Sequence, residues 1–319
     1  MKATCIVIPV FNRRATTLAC LAALREQKVP DWADVLVVDD GSSDGTGEAI
    51  KAEFPQTLLL RGDGALWWSG AINLGMEHAL EAGASHIIWL NDDCLPQPGS
   101  LATLLEASLC HHAIAVAHCI LRELGEVHYA GLRKTATGLE MISCQRGEVI
   151  ACDTVCGNCV CVPRAAAERI GGIDARHFPH AMGDADYGLR ATAAGIPVIA
   201  VGSATCWSTY GTNTNRESWL LGHLSIRQLW KNSLHPTNGW LTRSGLFFKW
   251  RHWGLRGLAA YAATLARFLL TTFIRMLIPQ SALRAVLGKK SRHHQRMEAV
   301  RSWENQKEND SENASDHVR

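Results

Sequence analysis

The stretch Val37-Val38-Asp39-Asp40-Gly41-Ser42-Ser43-Asp44-Gly45-Thr46 shows most clearly how this 319-residue chain folds. An apolar run ends in two adjacent acids, a turn rich in Gly and Ser follows, and helical spacing begins at Thr46. A strand followed by a polar loop and a helix is typical of sheets in which strands alternate with helices. Taken alone, the loop is equally typical of a turn that caps the next helix.

The flanking segments repeat this alternation of apolar strands and helices. We predict a mostly parallel sheet covered by helices on both faces, an α/β fold. Residues 114–165 look irregular and β-rich. The predicted strands are 4–9, 35–38, 57–60, 86–90 and 155–162, and the predicted helices are 16–27, 46–53, 70–82, 165–170 and 187–194.

A second acidic group, Asn91-Asp92-Asp93, follows the apolar strand 86–90. Ligands of open α/β sheets bind at the carboxyl ends of the strands, so the two acidic groups are expected at one edge of the sheet. Carboxylate oxygens there suit Mg²⁺ or Mn²⁺ holding a diphosphate. The combination of two such groups is a stronger functional signal than either alone.

These motifs resemble those of glycosyltransferase family 2, inverting enzymes of the GT-A fold. The resemblance covers about residues 3–210, and segments similar to 63–70 occur in relatives described as rhamnosyltransferase-like. It implies transfer of a sugar from a nucleoside diphosphate donor to a glycan or lipid-linked acceptor. The matching segments are 8–13, 37–46, 70–75, 89–93, 171–174 and 182–190.

The resemblance also implies roles for individual residues. Asp39 or Asp40 would bind the base, and Asp92 the ribose or donor sugar. Asp93 would hold Mg²⁺ or Mn²⁺, and Asp184 would be the base that deprotonates the acceptor hydroxyl. The remaining donor-binding residues would be Pro9, Phe11, Arg13 and Asn73.

Three positions depart from the family pattern. Asn91 replaces the first acid of the Asp-x-Asp motif, Gly183 replaces the Glu before Asp184, and no His occurs in 206–210. These departures bear on the metal site more than on sugar transfer. From the residues alone, Asp184 has a second interpretation as an acid that interacts with a helix dipole. Asp186 and Arg190 have the spacing of a structural helix pair.

Trp67, Trp68 and His180 are candidates for acceptor or pocket contacts. Two adjacent tryptophans cannot both be buried on one strand face, so one is expected to meet a ligand or line the mouth of the site. The alternative is one core tryptophan and one loop tryptophan. His180 is either a pocket residue or a loop histidine.

The only cysteine cluster in the sequence comprises Cys152, Cys156, Cys159 and Cys161. It has two interpretations, a zinc site or a strand whose alternate cysteines are small core residues. Strict alternation and the lack of a second matched pair favour the strand. An odd total of 11 cysteines is also untypical of a secreted disulfide scaffold.

Charge is unevenly distributed along the chain. Residues 218–297 contain 13 Lys or Arg and no acid, whereas residues 1–217 carry −8. Together with the resemblance, this division predicts a GT-A glycosyltransferase domain (1–217), a helical, basic, aromatic-rich region (218–297) and a disordered charged tail (298–319). The longest charge-free run within 255–278 is ten residues, which favours an interfacial helix over a spanning one.

We expect residues 218–297 to bind an anionic membrane surface, with packing on the body or homodimer formation as the alternative; nucleic acid is disfavoured. The apolar run at 1–9 is too short for a secretory signal, so a cytoplasmic protein, peripheral at the inner face of the cell membrane, is expected. The competing function is a non-catalytic nucleotide-sugar-binding or scaffold protein. A nucleotidyltransferase would need a Gly-rich basic segment after the first strand, which 9–14 lacks.

Overall fold

The computed structural model describes residues 2–122, 124–142, 144–208, 219–220, 224–279 and 281–283. The predicted disordered tail, 298–319, lies outside these residues. The helices are α1 Arg14–Glu26, α2 Thr46–Glu53, α3 Trp67–Glu81, α4 Ser100–His111, α5 Arg164–Ile170, α6 Gly183–Ala193, α7 Ile226–Ser233 and α8 Arg243–Leu277. The strands are β1 Thr4–Val10, β2 Asp34–Asp39, β3 Leu58–Arg61, β4 His86–Leu90, β5 Cys94–Pro96, β6 Ile114–Leu121, β7 Val127–Tyr129, β8 Gly131–Lys134, β9 Leu139–Met141, β10 Val149–Ala151, β11 Thr154–Val155, β12 Cys159–Pro163 and β13 Val198–Ser208.

Ten strands form the main sheet, whose continuous order is β10-β13-β6-β12-β4-β1-β2-β3. Strands β3, β2, β1 and β4 run parallel, and β6 is parallel to β13. Strand β12 is antiparallel to both β4 and β6, and it joins the two parallel groups. The predicted α/β class is confirmed.

Helices cover both faces of this sheet, because the side chains of β1 alternate between two cores. Ile6 and Ile8 pack with residues of α1, α2 and α4. Cys5 and Val7 pack on the other face with residues of α3, α5 and α6. Strand β1, which is apolar apart from Thr4, therefore lies in a sheet that is buried on both faces.

Helix α3 lies very close to β1. A Cβ atom on Gly75 would be 2.2 Å from Val7 Cγ1, so only glycine permits this approach. The approach brings the start of α3 to the carboxyl end of β1, where the acidic loops also lie.

Several predicted boundaries are wrong. The strand expected at 155–162 is interrupted, since β11 ends at Val155 and β12 begins at Cys159. Helix α6 begins at Gly183 instead of Tyr187, because Met182 has a left-handed backbone (φ 72°) and the helix starts directly after it. Helix α3 begins at Trp67, which places the paired tryptophans in its first turn.

The strand interpretation of the cysteine cluster is confirmed. Cys159 and Cys161 lie in the same core cluster, whereas Cys152 belongs to the cluster on the opposite face of the sheet. The four cysteines therefore do not form a zinc site. A different set of buried thiols lies with sulfur atoms within 4.8 Å of one another: Cys94 of β5, Cys119 of β6 and Cys206 of β13.

Helix α8 is bent at Gly254, whose backbone is not helical (φ 56°, ψ −134°). After the bend, the ring of Phe268 packs edge-on against Trp219 and Trp230, with ring centroids 5.1 and 4.9 Å away. Within the described part of the chain, α8 is the one helix long and apolar enough to cross a membrane by length and composition.

Candidate active site

A cavity of about 400 Å³ opens at the carboxyl ends of β1, β2 and β4. This is the sheet edge at which the sequence placed the two acidic groups. It is lined by Pro9, Val10, Phe11, Arg13, Asp40, Gly64, Trp67, Trp68, Ala71, Asn91, Asp92, Asp93, His180 and Thr237.

Arg13 connects the two acids that follow β4. Its Nη1 lies 3.3 Å from Asp92 Oδ1, and its Nη2 lies 3.0 Å from Asp93 Oδ2. Thr17 Oγ1 donates a further hydrogen bond of 2.9 Å to Asp92 Oδ2. Burial raises the pKa of Asp92 to about 6, although Arg13 and Thr17 act in the opposite direction. The Asp93 side chain, at 36% exposure against 2% for Asp92, is the carboxylate open to the cavity.

Asp40 holds the loop that leads into α3. Its Oδ1 accepts hydrogen bonds from the backbone amides of Gly64 (2.9 Å) and Leu66 (3.2 Å). Its Oδ2 accepts one from the Trp67 amide at 2.9 Å. These bonds secure Trp67 in a left-handed conformation (φ 56°), which is uncommon for a bulky residue and typical of functional sites.

The two tryptophans face different surroundings. Trp68 Nε1 donates a 2.7 Å hydrogen bond to Asn91 Oδ1, and its ring lies edge-on to the buried Trp89. Trp67 is 38% exposed at the mouth, with its ring 6.0 Å from that of His180. The pocket position of His180 is thus the one observed, and burial lowers its pKa.

Asp184 is half-buried in the first turn of α6, behind Trp68. Its Oδ2 accepts a 2.6 Å hydrogen bond from the Gly157 amide, and its Oδ1 accepts one of 2.8 Å from the Ala185 amide. A Cβ on Gly157 would lie 2.6 Å from the Trp68 ring and 2.9 Å from Asp184 Cβ. Gly157 therefore packs against both Asp184 and Trp68; Trp68 lines the cavity, whereas Asp184 does not. Burial raises the pKa of Asp184.

Packing explains why Gly183 stands where the family has Glu. A Cβ at this position would be 2.5 Å from Ser69 Oγ and 2.8 Å from Ile173 Cγ2. The start of α6 is pressed against α3, so a side chain does not fit between them.

Two of the predicted donor-binding residues do not line the cavity. Asn73 makes hydrogen bonds to the backbone of Ile173, donating from Nδ2 to the carbonyl (2.7 Å) and accepting at Oδ1 from the amide (2.8 Å). Asp39 is buried, and its Oδ1 accepts a 2.8 Å hydrogen bond from the Ser42 amide. Both side chains hold segments that surround the site.

Asp186 joins the helix of Asp184 to α8. The expected pair with Arg190 is present, with Nε 2.9 Å from Asp186 Oδ2. Arg251 Nη1 and His252 Nε2 each lie 2.9 Å from Asp186 Oδ1. Burial would raise the pKa of Asp186, but its hydrogen bonds to His252, Arg251 and Arg190 hold the pKa below its ordinary value. The basic region therefore packs on the body through this carboxylate.

Sequence reasoning missed three residues of the site. Thr17 supports Asp92, Gly157 lies between Trp68 and Asp184, and Thr237 lines the cavity from the segment that precedes α8. The interruption of apolar alternation at Cys156-Gly157-Asn158 was a signal for Gly157. Nothing in the local pattern indicates Thr237, because its position depends on how the basic region packs.

Two solved structures have a similar fold. The structure of GalNAc-T7 with UDP, GalNAc and Mn²⁺ has a TM-score of 0.53 at 14% identity, over 66% of this chain and 44% of that chain. Mannosyltransferase PcManGT from Pyrobaculum calidifontis, in complex with GDP-Man and Mn²⁺, has a TM-score of 0.51 at 16% identity, over 94% and 84% of the two chains. The fold is that of the GT-A glycosyltransferases.

The model of the family "Glycosyl transferase family 2" matches residues 5–171, more than half of the chain, so the chain belongs to this family. N-acetylglucosaminyl-diphospho-decaprenol L-rhamnosyltransferase of Mycobacterium tuberculosis is 27% identical over 274 residues, 75% of this chain and 84% of that protein. Undecaprenyl-phosphate mannosyltransferase of Micrococcus luteus is 36% identical over 104 residues, 32% and 42% of the two. The chain is a glycosyltransferase with a nucleotide-sugar donor, and the non-catalytic alternative is not favoured.

Proposed function

We propose that the enzyme transfers a hexosyl or deoxyhexosyl group, with inversion, from a nucleoside diphosphate sugar to a lipid-linked saccharide. The observation that carries this proposal is that Gly157 packs against both Asp184 and Trp68, and Trp68 lines the cavity together with Arg13 and Asp93. Asp184 does not itself line the cavity, and it would reach the acceptor beside Trp68, next to the groups suited to a diphosphate.

The donor occupies the first cavity. Phe11, 52% exposed at the mouth, offers a flat face to the base, and Asp40 lies on the same wall. The Arg13 guanidinium faces the diphosphate, for which its fork of donors is well suited. Asp92 orients Arg13 through their ion pair and lies beside the ribose or the sugar. Asn73 and Asp39 act by holding the adjoining segments.

The carboxylates present fit a divalent cation that is bound mainly through the donor. Asp93 pairs with Arg13 through Oδ2 but keeps its side chain 36% exposed, whereas Asp92 is buried and bonded to Thr17 and Arg13. The Asn91 amide oxygen is occupied by Trp68. Mg²⁺ is commonly held by one or two carboxylates together with substrate phosphates. Asp93 would hold Mg²⁺ or Mn²⁺, which when bound offsets the charge that grows on the leaving diphosphate.

Asp184 accepts the proton of the attacking hydroxyl. The acceptor oxygen forms a bond to the anomeric carbon from the side opposite the diphosphate, whose bond to that carbon breaks, and the proton passes to an Asp184 oxygen. The raised pKa of this carboxyl makes it a stronger base than an ordinary aspartate. The amides of Gly157 and Ala185 fix its orientation.

The enzyme acts at the inner face of the cell membrane, which it contacts through α8. Exposed apolar side chains follow helical spacing after the bend and include Leu265, Leu269, Phe273 and Met276, which we call the apolar stripe. The exposed Arg256 and Arg267 on the same helix are suited to anionic headgroups. The lipid-linked substrates named for the two bacterial relatives support this placement.

The test compares wild type with Asp184→Asn and Asp93→Ala, using a panel of radiolabelled nucleotide sugars and membrane lipid extract. We expect wild type to form a labelled lipid product with Mg²⁺ or Mn²⁺. Asp184→Asn should retain donor binding but lose turnover, and Asp93→Ala should weaken metal-dependent donor binding. Equal turnover by wild type and Asp184→Asn would overturn the assignment of the base.

A further inference from the structure

A second groove, of about 570 Å³, lies where the segment Arg176–Pro179 meets α8. Its lining combines cationic and apolar side chains: Arg176, His177, Pro179, Arg243, Ser244, Leu246, Phe247, Trp250 and Leu258. The groove spans the bend at Gly254, because Trp250 precedes the bend and Leu258 follows it. Leu246 and Trp250 are 40% and 49% exposed, so the apolar wall is open to solvent.

The two arginines of the groove have no carboxylate partner among the described residues. Arg176 and Arg243 are exposed, and their guanidinium groups make no hydrogen bond or ion pair there. Arg251 differs, since its guanidinium is bound by both Asp174 and Asp186. The groove therefore offers free guanidinium groups beside an apolar surface, a combination that complements a phosphorylated lipid.

Contacts with neighbouring residues hold the aromatic side chains of the groove in place. The His177 ring stacks on Phe247 with centroids 4.0 Å apart, and His177 Nδ1 lies 2.9 Å from Asp174 Oδ2. Ser244 Oγ donates a 2.7 Å hydrogen bond to the His177 carbonyl, which ties the first turn of α8 to this segment. A preformed surface of this kind loses little conformational entropy when it binds a ligand.

The groove adjoins the donor cavity. Pro179 lines the groove, and the next residue, His180, lines the cavity. The Pro179 carbonyl accepts a 3.0 Å hydrogen bond from the amide of Ser69, which directly follows Trp68. One short segment thus separates the two spaces, and a ligand in the groove can extend past His180 to the donor.

We propose that this groove binds the diphosphate and the first isoprenoid units of a polyprenyl-diphosphate-linked acceptor. The inference rests on the proposed function, which it makes more specific. Arg176 and Arg243 bind the diphosphate, while Leu246, Trp250 and Leu258 contact the hydrocarbon. The saccharide then extends past His180 toward the donor sugar.

Farnesyl diphosphate is a suitable soluble probe, and titration calorimetry measures its binding without turnover. We expect Arg176→Ala/Arg243→Ala to weaken its binding at least tenfold. The matched control Arg61→Ala, which removes an exposed arginine of β3 outside both the groove and the donor cavity, should bind it like wild type. Trp250→Ala should weaken farnesyl diphosphate but leave the weaker binding of inorganic pyrophosphate unchanged. Circular dichroism spectra and melting temperatures confirm that each variant is folded.

Three results would overturn the proposal. One is equal affinity of the double variant and wild type for farnesyl diphosphate. Another is displacement of the probe by excess UDP and GDP, which would place it in the donor cavity. The third concerns dioctanoyl phosphatidylglycerol. If wild type binds this phospholipid as tightly as farnesyl diphosphate, and Arg176→Ala/Arg243→Ala weakens both equally, the groove is a phospholipid site. Because no turnover is measured, failure of the proposed catalysis and failure of this groove remain distinguishable.

Discussion

Arg251 of α8 donates a 2.9 Å hydrogen bond to Asp186 of α6, two residues after the proposed base Asp184. The same carboxylate contacts Arg190 and His252, and its side chain is fully buried. The basic helix is therefore bound to the helix that carries the proposed base. The sequence left packing on the body and membrane contact as alternatives for this region. The two are compatible, because α8 packs on the body before its bend and exposes the apolar stripe after it.

Asp186→Asn should destabilise the protein by about 3 kcal/mol. The substitution removes the buried carboxylate, so Arg190 and Arg251 lose the negative charge that they pair with. Urea unfolding at pH 7.5 measures this change. The matched control is Arg256→Ala, an exposed change on the same helix that should alter stability by less than about 0.5 kcal/mol. A similarly small effect of Asp186→Asn would show that the network does not hold α8 on the body.

Activity should depend on pH through Asp184. Burial raises the pKa of this carboxyl above its ordinary value of 3.8, and a base must be ionised, so kcat/KM falls as pH drops through the raised pKa. Asp184→Asn should lower kcat by roughly 10²–10⁴-fold, the usual contribution of a general base. The pH profile of wild type, measured with saturating cation, tests this assignment. An acid limb at the ordinary pKa of aspartate would contradict it.

The raised pKa of Asp184 also predicts that the folded protein loses stability as pH rises, whereas its activity increases. The folded protein holds the Asp184 proton more tightly than the unfolded chain does. Ionisation of Asp184 at neutral pH therefore lowers the free energy of unfolding, and this cost vanishes as pH falls toward 3.8. The melting temperature of Asp184→Asn relative to wild type should therefore rise between pH 4 and pH 7.5. The substitution also alters the hydrogen bond from the Gly157 amide, but this changes the melting temperature by the same amount at every pH and leaves the trend intact.

The two tryptophans should respond differently to substitution. Trp68→Phe leaves Asn91 Oδ1 without its donor, next to Asp92. Because small displacements of groups in the site are costly, we expect kcat/KM to fall about tenfold or more. Trp67→Phe keeps the backbone bond to Asp40 and should reduce kcat/KM less. Steady-state kinetics at fixed metal concentration compares them. The reverse order would remove the proposed role of the Trp68–Asn91 bond.

Gly157→Ala tests the separation between Trp68 and Asp184. The added Cβ would lie 2.6 Å from the tryptophan ring and 2.9 Å from Asp184 Cβ, so one of them must move. Because small displacements of catalytic groups are costly, we expect kcat to drop about a hundredfold. Gly138→Ala is the control, since its Cβ meets neighbours only at 3.7 Å or more. Unchanged kcat in Gly157→Ala would place the base elsewhere.

Membrane contact should depend on the apolar stripe. Leu269→Asp/Phe273→Asp adds two charges to side chains 46% and 58% exposed, and it should abolish flotation with phosphatidylglycerol vesicles. Truncation near Trp219 is a poorer test, because Trp219 packs on Phe268 of the removed helix. Leu109→Asp/Met141→Asp adds the same charge at exposed apolar positions of the body and should leave flotation intact. Equal flotation of both double variants would exclude the stripe as the contact.

The sequence by itself determined the strand and helix order around the site. Apolar runs of strand length, each ending in acids or Asn, specify a sheet with ligand-binding loops at one edge, because local periodicity records which face of each element is buried. It therefore predicted that Asp40, Asp92 and Asp93 would meet, and the family motifs identified the class of enzyme. It also indicated that Cys159 and Cys161 are core residues.

Only the tertiary structure decided which polar side chains remain open to a ligand. Asp92 and Asp93 are adjacent in sequence and both pair with Arg13, but Asp92 is buried against Thr17 whereas the Asp93 side chain is 36% exposed. The glycine between Trp68 and Asp184, and the contacts of Asp186 with α8, join segments far apart in the chain. Such contacts depend on how helices pack across the sheet, and local periodicity contains no information about them.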